Sequence, residues 1–132
     1  MSHERRRRRS AHMRQAVHYQ LASCAENYGV PSLSLGDERG LMVGGAGLIS
    51  TVDEALVAFA PLLCRAHMRT QRTWLVQAMR EVLPELRHRH VSVRRFQVGG
   101  ESLYLCALGR RGSHKEVAMN HAITGLRRIL AR

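Results

Sequence analysis

Eight histidines, three cysteines and ten acidic residues are the side chains from which a catalytic or metal site would have to be built. The nearest approach to a ligand pair is His88-Arg89-His90, because residues two apart on a strand share a face. No cysteine or carboxylate stands beside it in sequence, and the neighbouring arginines would repel a cation, so no metal site is expected. The sequence holds no HExxH, CxxC or GxSxG pattern. His18 with Cys24, or His121 with a cysteine, would be the pairs for an activated thiolate. Each thiol, however, sits in an apolar stretch, where burial raises its pKa and leaves it inert. Asp37, Glu38 and Glu101 fall in turns, and Asp53, Glu54 and Glu116 fall at helix starts, so their spacing answers to structure. Gly44-Gly45-Ala46-Gly47 is rich enough in glycine to suggest a phosphate cradle. A P-loop needs Lys-Ser/Thr after its last glycine, but Leu48-Ile49 follows, and the dinucleotide fingerprint lacks its third glycine. The run reads instead as a bulged strand end or a close backbone approach. The expectation is a protein that is not an enzyme and carries no cofactor.

The net charge of +11 favours anionic partners, but its placement matters more than its size. Arg5, Arg6, Arg7, Arg8 and Arg9 form one block, and removing it roughly halves the excess. Lys115 is the only lysine, a bias that high-GC coding produces without selection for guanidinium chemistry. Residues 1–9 can bury nothing and read as a disordered tail, with one domain over residues 10–132. The tail is suited to salt-sensitive contact with nucleic acid or an anionic membrane surface. Aromatic residues are 5% of the chain and none interleaves with the block, so stacking on single strands is not indicated. Cys24, Cys64 and Cys106 are odd in number and widely spaced, which reads as free buried thiols rather than a disulfide framework. With no apolar run of transmembrane length and no secretory h-region, the expected compartment is the cytoplasm.

The elements that would position these side chains follow from hydrophobic periodicity. Met13, Val17, Leu21, Cys24 and Tyr28 make one helical stripe, with Ser10 as N-cap, Gly29 as stop and Pro31 beyond it. Ser32 and Ser34 alternate with Leu33 and Leu35, which predicts a half-buried strand. The segment from Gly36 to Gly40 makes a hairpin loop, and Leu41-Met42-Val43 returns. Ser50 to Glu54 starts a helix whose buried stripe is Val52, Leu56, Phe59, Ala60 and Leu63, bent at Pro61. After a break near Arg69-Thr70, Trp74, Leu75, Ala78, Met79, Val82 and Leu86 fit a further helix, with Trp74 as core or self-contact. Val91 to Leu108 reads as a second hairpin with a bulge at Arg94-Arg95, a primed turn at Gly99-Gly100, and a return strand covered on both faces. Gly109 to Gly112 is a basic loop. Ser113 and Glu116 have capping-box spacing, and Met119, Ala122, Ile123, Leu126, Ile129 and Leu130 form the stripe of a closing helix. The fold class is α+β: an antiparallel sheet from two hairpins, layered against amphipathic helices.

This element order, with Gly29-Val30-Pro31-Ser32-Leu33-Ser34-Leu35 leading into Gly36-Asp37-Glu38-Arg39-Gly40-Leu41-Met42-Val43, resembles the Roadblock/dynein light chain family. Profilin-like and GAF-like sensor domains share similar strand–turn–strand text. The resemblance spans about residues 10 to 131 and departs from the family pattern in two places. An extra helix precedes the third strand, and two strands follow it where the family has three. The resemblance implies a layered sandwich that pairs into a homodimer and, in bacterial members, a non-catalytic scaffold or regulator of a small Ras-like GTPase. Trp74, Tyr104, Arg94 and Arg95 are the expected partner or dimer contacts. A GAF-like small-molecule sensor is the second reading and would need a pocket between sheet and helices. Binding of nucleic acid or anionic surfaces through the tail is the third.

Overall fold

The computed structural model describes residues 2–47, 49–65, 68–86, 89–110 and 114–131, with residues 2–10 as backbone only. Expectations resting on Leu48, His67, His88, Arg111, Gly112 and Ser113, and on the side chains of Arg5 to Arg9 and Ser10, lie outside the described residues.

Helix α1 runs over Ser2–Tyr28, strand β1 over Ser32–Asp37 and strand β2 over Met42–Gly47. Helices α2 (Thr51–Arg65) and α3 (Arg69–Val82) follow, then a 3-10 turn at Pro84–Leu86. Strands β3 (His90–Val98) and β4 (Glu101–Gly109) lead into α4 (Lys115–Leu130). All strand pairs are antiparallel, in the order β2-β1-β4-β3, so the two hairpins are joined through β1 and β4 at the centre.

The expected stripe of α1 packs on the sheet through Val17, Leu21 and Cys24, and Gly29 at φ 64° ends the helix. The backbone is helical already from Ser2, so α1 takes in residues 2–9 and Ser10 is not its cap. Arginine is among the better helix formers, which suits it to extend a helix whose packing begins further on. α4 lies beside α1, and together they bury Leu33, Leu35, Phe96, Leu103, Leu105 and Ala107 on one sheet face. On the opposite face α2 buries Tyr104, Cys106 and Leu108, and Met79 of α3 joins the same apolar cluster. β4 is therefore covered on both sides, as its unbroken apolar run predicts.

β1 is covered on both sides too, which corrects the half-buried reading of Ser32 and Ser34. Both serines are buried under α2. A hydroxyl tolerates that position when it finds a partner, and Ser32 Oγ donates to Asp53 Oδ1 at 2.7 Å. The register of β3 on β4 runs without interruption from His90 to Val98, so there is no bulge at Arg94-Arg95. Val91 and Val93 pack under α2 and α3, while Phe96 and Val98 pack under α1 and α4. Apolar residues of both parities are what a strand covered on two faces requires. The irregularity lies instead between Leu35 and Gly36, where β1 meets β2.

The glycine run of β2 is a close approach of layers. A side chain at Gly44 would meet Val17 of α1, and one at Gly47 would meet the Pro31 carbonyl. Gly99 and Gly100 both have positive φ, the primed turn that matches the twist of flanking strands. α3 starts at Arg69, earlier than its sequence predicts, and stops at Val82 because the residue before Pro84 is pushed out of helical conformation.

Candidate interaction surface

At the β3 edge of the sheet, alternation sorts polar side chains onto two faces. Ser92 and Arg94 point toward the first turn of α4. The Arg94 guanidinium donates to Asn120 Oδ1 and to the Glu116 carboxylate, and Ser92 Oγ donates to Glu116 at 3.1 Å. Burial pushes the Glu116 carboxyl up, but the Arg94 hydrogen bond and charge, helped by Ser92 and Lys115, hold it below the ordinary carboxylate range. Arg95 lies on the other face and donates to Ser102 Oγ through Nε and Nη2 at 3.2 and 2.9 Å. Both arginines thus brace β3 against its neighbours. Tyr104 is 2% exposed beneath α2 and presents no surface for a partner, which corrects its expected role as a contact.

Lys115, at the start of α4, is 2% exposed, and its Nζ is hydrogen-bonded to His90 Nδ1. Burial pulls its pKa down, offset in part by the Glu116 charge. The unfolded chain therefore binds this proton more tightly than the folded chain does. Stability should rise with pH from the folded-state pKa up to the unfolded value of about 10.4. Urea titrations carried upward in pH to the unfolded value of about 10.4 should show the native chain gaining stability relative to Lys115→Met. A difference that stays flat across that range contradicts the assignment.

Neither His18 nor His121 is paired with a thiol; each has another partner. His18 Nδ1 donates to the Gly45 carbonyl at 3.0 Å, tying α1 to β2. Tyr28 Oη lies 2.9 Å from His121 Nδ1, tying α1 to α4. All three cysteines are free; Cys24 and Cys106 are buried, whereas Cys64 is only half-buried. Burial pushes all three thiols up, and for Cys64 Arg72 and Arg95 pull weakly the other way. Among the described residues no three histidine, cysteine or acidic side chains come together as metal ligands, and no helix is long and apolar enough to cross a membrane.

The acidic residues do hold the fold. Asp37 accepts from the backbone N–H groups of Arg39 and Leu41 in the first hairpin. Burial pushes its carboxyl up, but these bonds and the Arg39 charge hold it low. Asp53 accepts from the backbone N–H and hydroxyl of Ser50, closing the expected capping arrangement at α2. Its bond to Ser32, which fastens α2 to β1, has no signal in sequence spacing.

The outward side of α2 and α3 is different in kind. Phe59, expected in the buried stripe, is 40% exposed, and Leu62, one turn on, is 49% exposed. Trp74 is 69% exposed and Val82 is exposed as well, so neither belongs to the core. The buried side of α3 is instead Leu75, Val76 and Met79. Leu62, Leu75 and Trp74 line a cleft of about 540 Å³ between the two helices, with Arg65, Thr70 and Gln71 completing it. A second hollow of about 380 Å³ follows the open edge of β3, bounded by Leu63, Cys64, Arg72 and Val76.

No protein-family model matches the sequence, and no curated protein matches it. Among solved structures the chain is similar to Myxococcus xanthus MglB, with a TM-score of 0.51 at 13% sequence identity, over 89% of this chain and 86% of that one. Four antiparallel strands, with α1 and α4 packed on one sheet face and α2 on the other, superposed over nearly the whole length of both chains, give this protein the roadblock/longin-like fold.

Proposed function

We propose that the chain is a homodimeric, non-catalytic scaffold or regulator of a small Ras-like GTPase. The observation that carries this reading is the roadblock/longin-like architecture, which covers nearly the whole chain, as the resemblance in the first hairpin implies. Support comes also from the way the polar side chains are used. Asp37, Asp53 and Glu116 are engaged in capping, hairpin and strand-bracing bonds, and the thiols are held protonated by burial. A regulator needs a rigid surface, and these bonds make one. For the dimer, β3 is the natural edge. It is nine residues long and terminal in the sheet, and an edge strand offers backbone donors and acceptors to a second chain.

The test uses the purified full chain and a Ras-like GTPase from the same genome, loaded with a non-hydrolysable GTP analogue or with GDP. Light scattering on a sizing column is expected to give a dimer for the chain alone. A complex should form whose affinity differs at least about tenfold between the two nucleotide states. A monomer that binds neither form contradicts the proposal.

A further inference from the structure

We propose that the cleft beside Trp74 docks an acidic segment of a partner protein that carries leucine or aromatic side chains, a site that stands whether or not the GTPase reading does. The indole stands between two hollows. The first, of about 540 Å³, has Leu62 and Leu75 in its wall, and the second, of about 480 Å³, is bounded by Arg69, Thr73 and Gln77. An exposed tryptophan flanked by concave apolar surface is the arrangement from which binding hot spots are made, because covering it removes a large rigid ring from water.

The charge around the cleft selects the occupant. Arg65 lines the first hollow and Arg69 the second. Neither is in an ion pair among the described residues. From Arg69 through Arg80 the helix carries three arginines and no acidic residue. Unpaired guanidinium groups beside an apolar floor favour carboxylates that arrive with apolar side chains, the former paired in bidentate fashion and the latter filling the cleft. A second copy of this chain is a poor occupant. A two-fold contact brings the same patch against itself, and here that sets arginine against arginine in a molecule already at +11.

Trp74 is the only tryptophan, so the emission of the full chain reports on this site alone. The probes are three synthetic helical peptides: leucines on one face with glutamates on the other, the same peptide with lysines for glutamates, and the glutamate peptide with serines for leucines. The first is expected to move Trp74 emission to shorter wavelength in a salt-sensitive manner, and the other two are expected to leave it in place. Arg65→Glu with Arg69→Glu should weaken binding at least about tenfold. Trp74→Ala should weaken binding of the fluorescently labelled glutamate–leucine peptide by a similar factor, with thermal unfolding unchanged because the ring is exposed. The proposal is overturned if the glutamate–leucine peptide leaves the emission unmoved or if the lysine peptide binds as well. It is equally overturned if emission of the protein alone shifts with its own concentration, since the cleft would then be a self-contact.

Discussion

Replacing Gly47 with alanine is expected to lower the stability of the fold by about 3 kcal/mol or more, and Gly99→Ala by only about 1 kcal/mol. Both glycines have positive φ, 92° and 55°, so both substitutions carry backbone strain. What separates them is the surroundings. A Cβ at Gly99 meets nothing within 4 Å, whereas at Gly47 it lands 2.1 Å from the Pro31 carbonyl oxygen. A backbone oxygen cannot swing aside as a side-chain tip can, so the end of β2 must part from the entry to β1. The same substitution therefore separates strain from collision. Chemical denaturation of the two variants checks this, and equal midpoints would mean that β2 does not sit so close to the Pro31 segment.

The second large effect is expected at Asp53. Its carboxylate accepts from Ser32 Oγ at 2.7 Å, from Ser50 N at 2.9 Å and from Ser50 Oγ at 3.1 Å while nearly fully buried. Asp53→Ala removes the acceptor and leaves the buried Ser32 hydroxyl and the backbone N–H of Ser50, just ahead of the helix, unpaired. The expected loss is about 3–5 kcal/mol, against about 1 kcal/mol for Ser32→Ala, which leaves Asp53 its two bonds to Ser50. The double variant should cost less than the sum, since removing both partners spares the orphaned hydroxyl. Additive losses would show that the α2–β1 tie is not energetically real. Because α2 carries one wall of the Trp74 cleft, the Asp53→Ala chain should also bind cleft ligands less well.

Much of this fold is legible in the amino-acid sequence. The stripe Val17, Leu21, Cys24 in α1, the primed turn at Gly99-Gly100 and the doubly covered run of β4 are all local patterns, and local patterns survive into the folded chain. The misreadings share one cause. Whether a residue is buried depends on which layer lies over it, and no spacing records that. Ser32 and Ser34 read as solvent-facing because serine usually is, yet α2 covers them. Phe96 and Val98 read as out of phase only if one face of β3 is covered, and with both faces covered the bulge disappears. Phe59 and Trp74 fit helical stripes, but the core takes Leu56 and Met79 and leaves both aromatics outside. Tyr104, an expected contact, is core, while Arg94 and Arg95 brace β3. The exposed surface is therefore the least readable part of the sequence, though the most relevant to function. A helix with a large apolar residue off its core stripe, beside arginines without acidic neighbours, is the signal that could find it.

The proposed regulator alters a GTPase by contact while performing no hydrolysis itself. Single-turnover GTP hydrolysis, followed for the GTPase alone, for this chain alone and for the two together at saturating chain, tests that most directly. The predicted result is no hydrolysis by the chain alone and a changed rate, in either direction, for the mixture. Hydrolysis by the chain alone, or a mixture indistinguishable from the GTPase by itself, would contradict it.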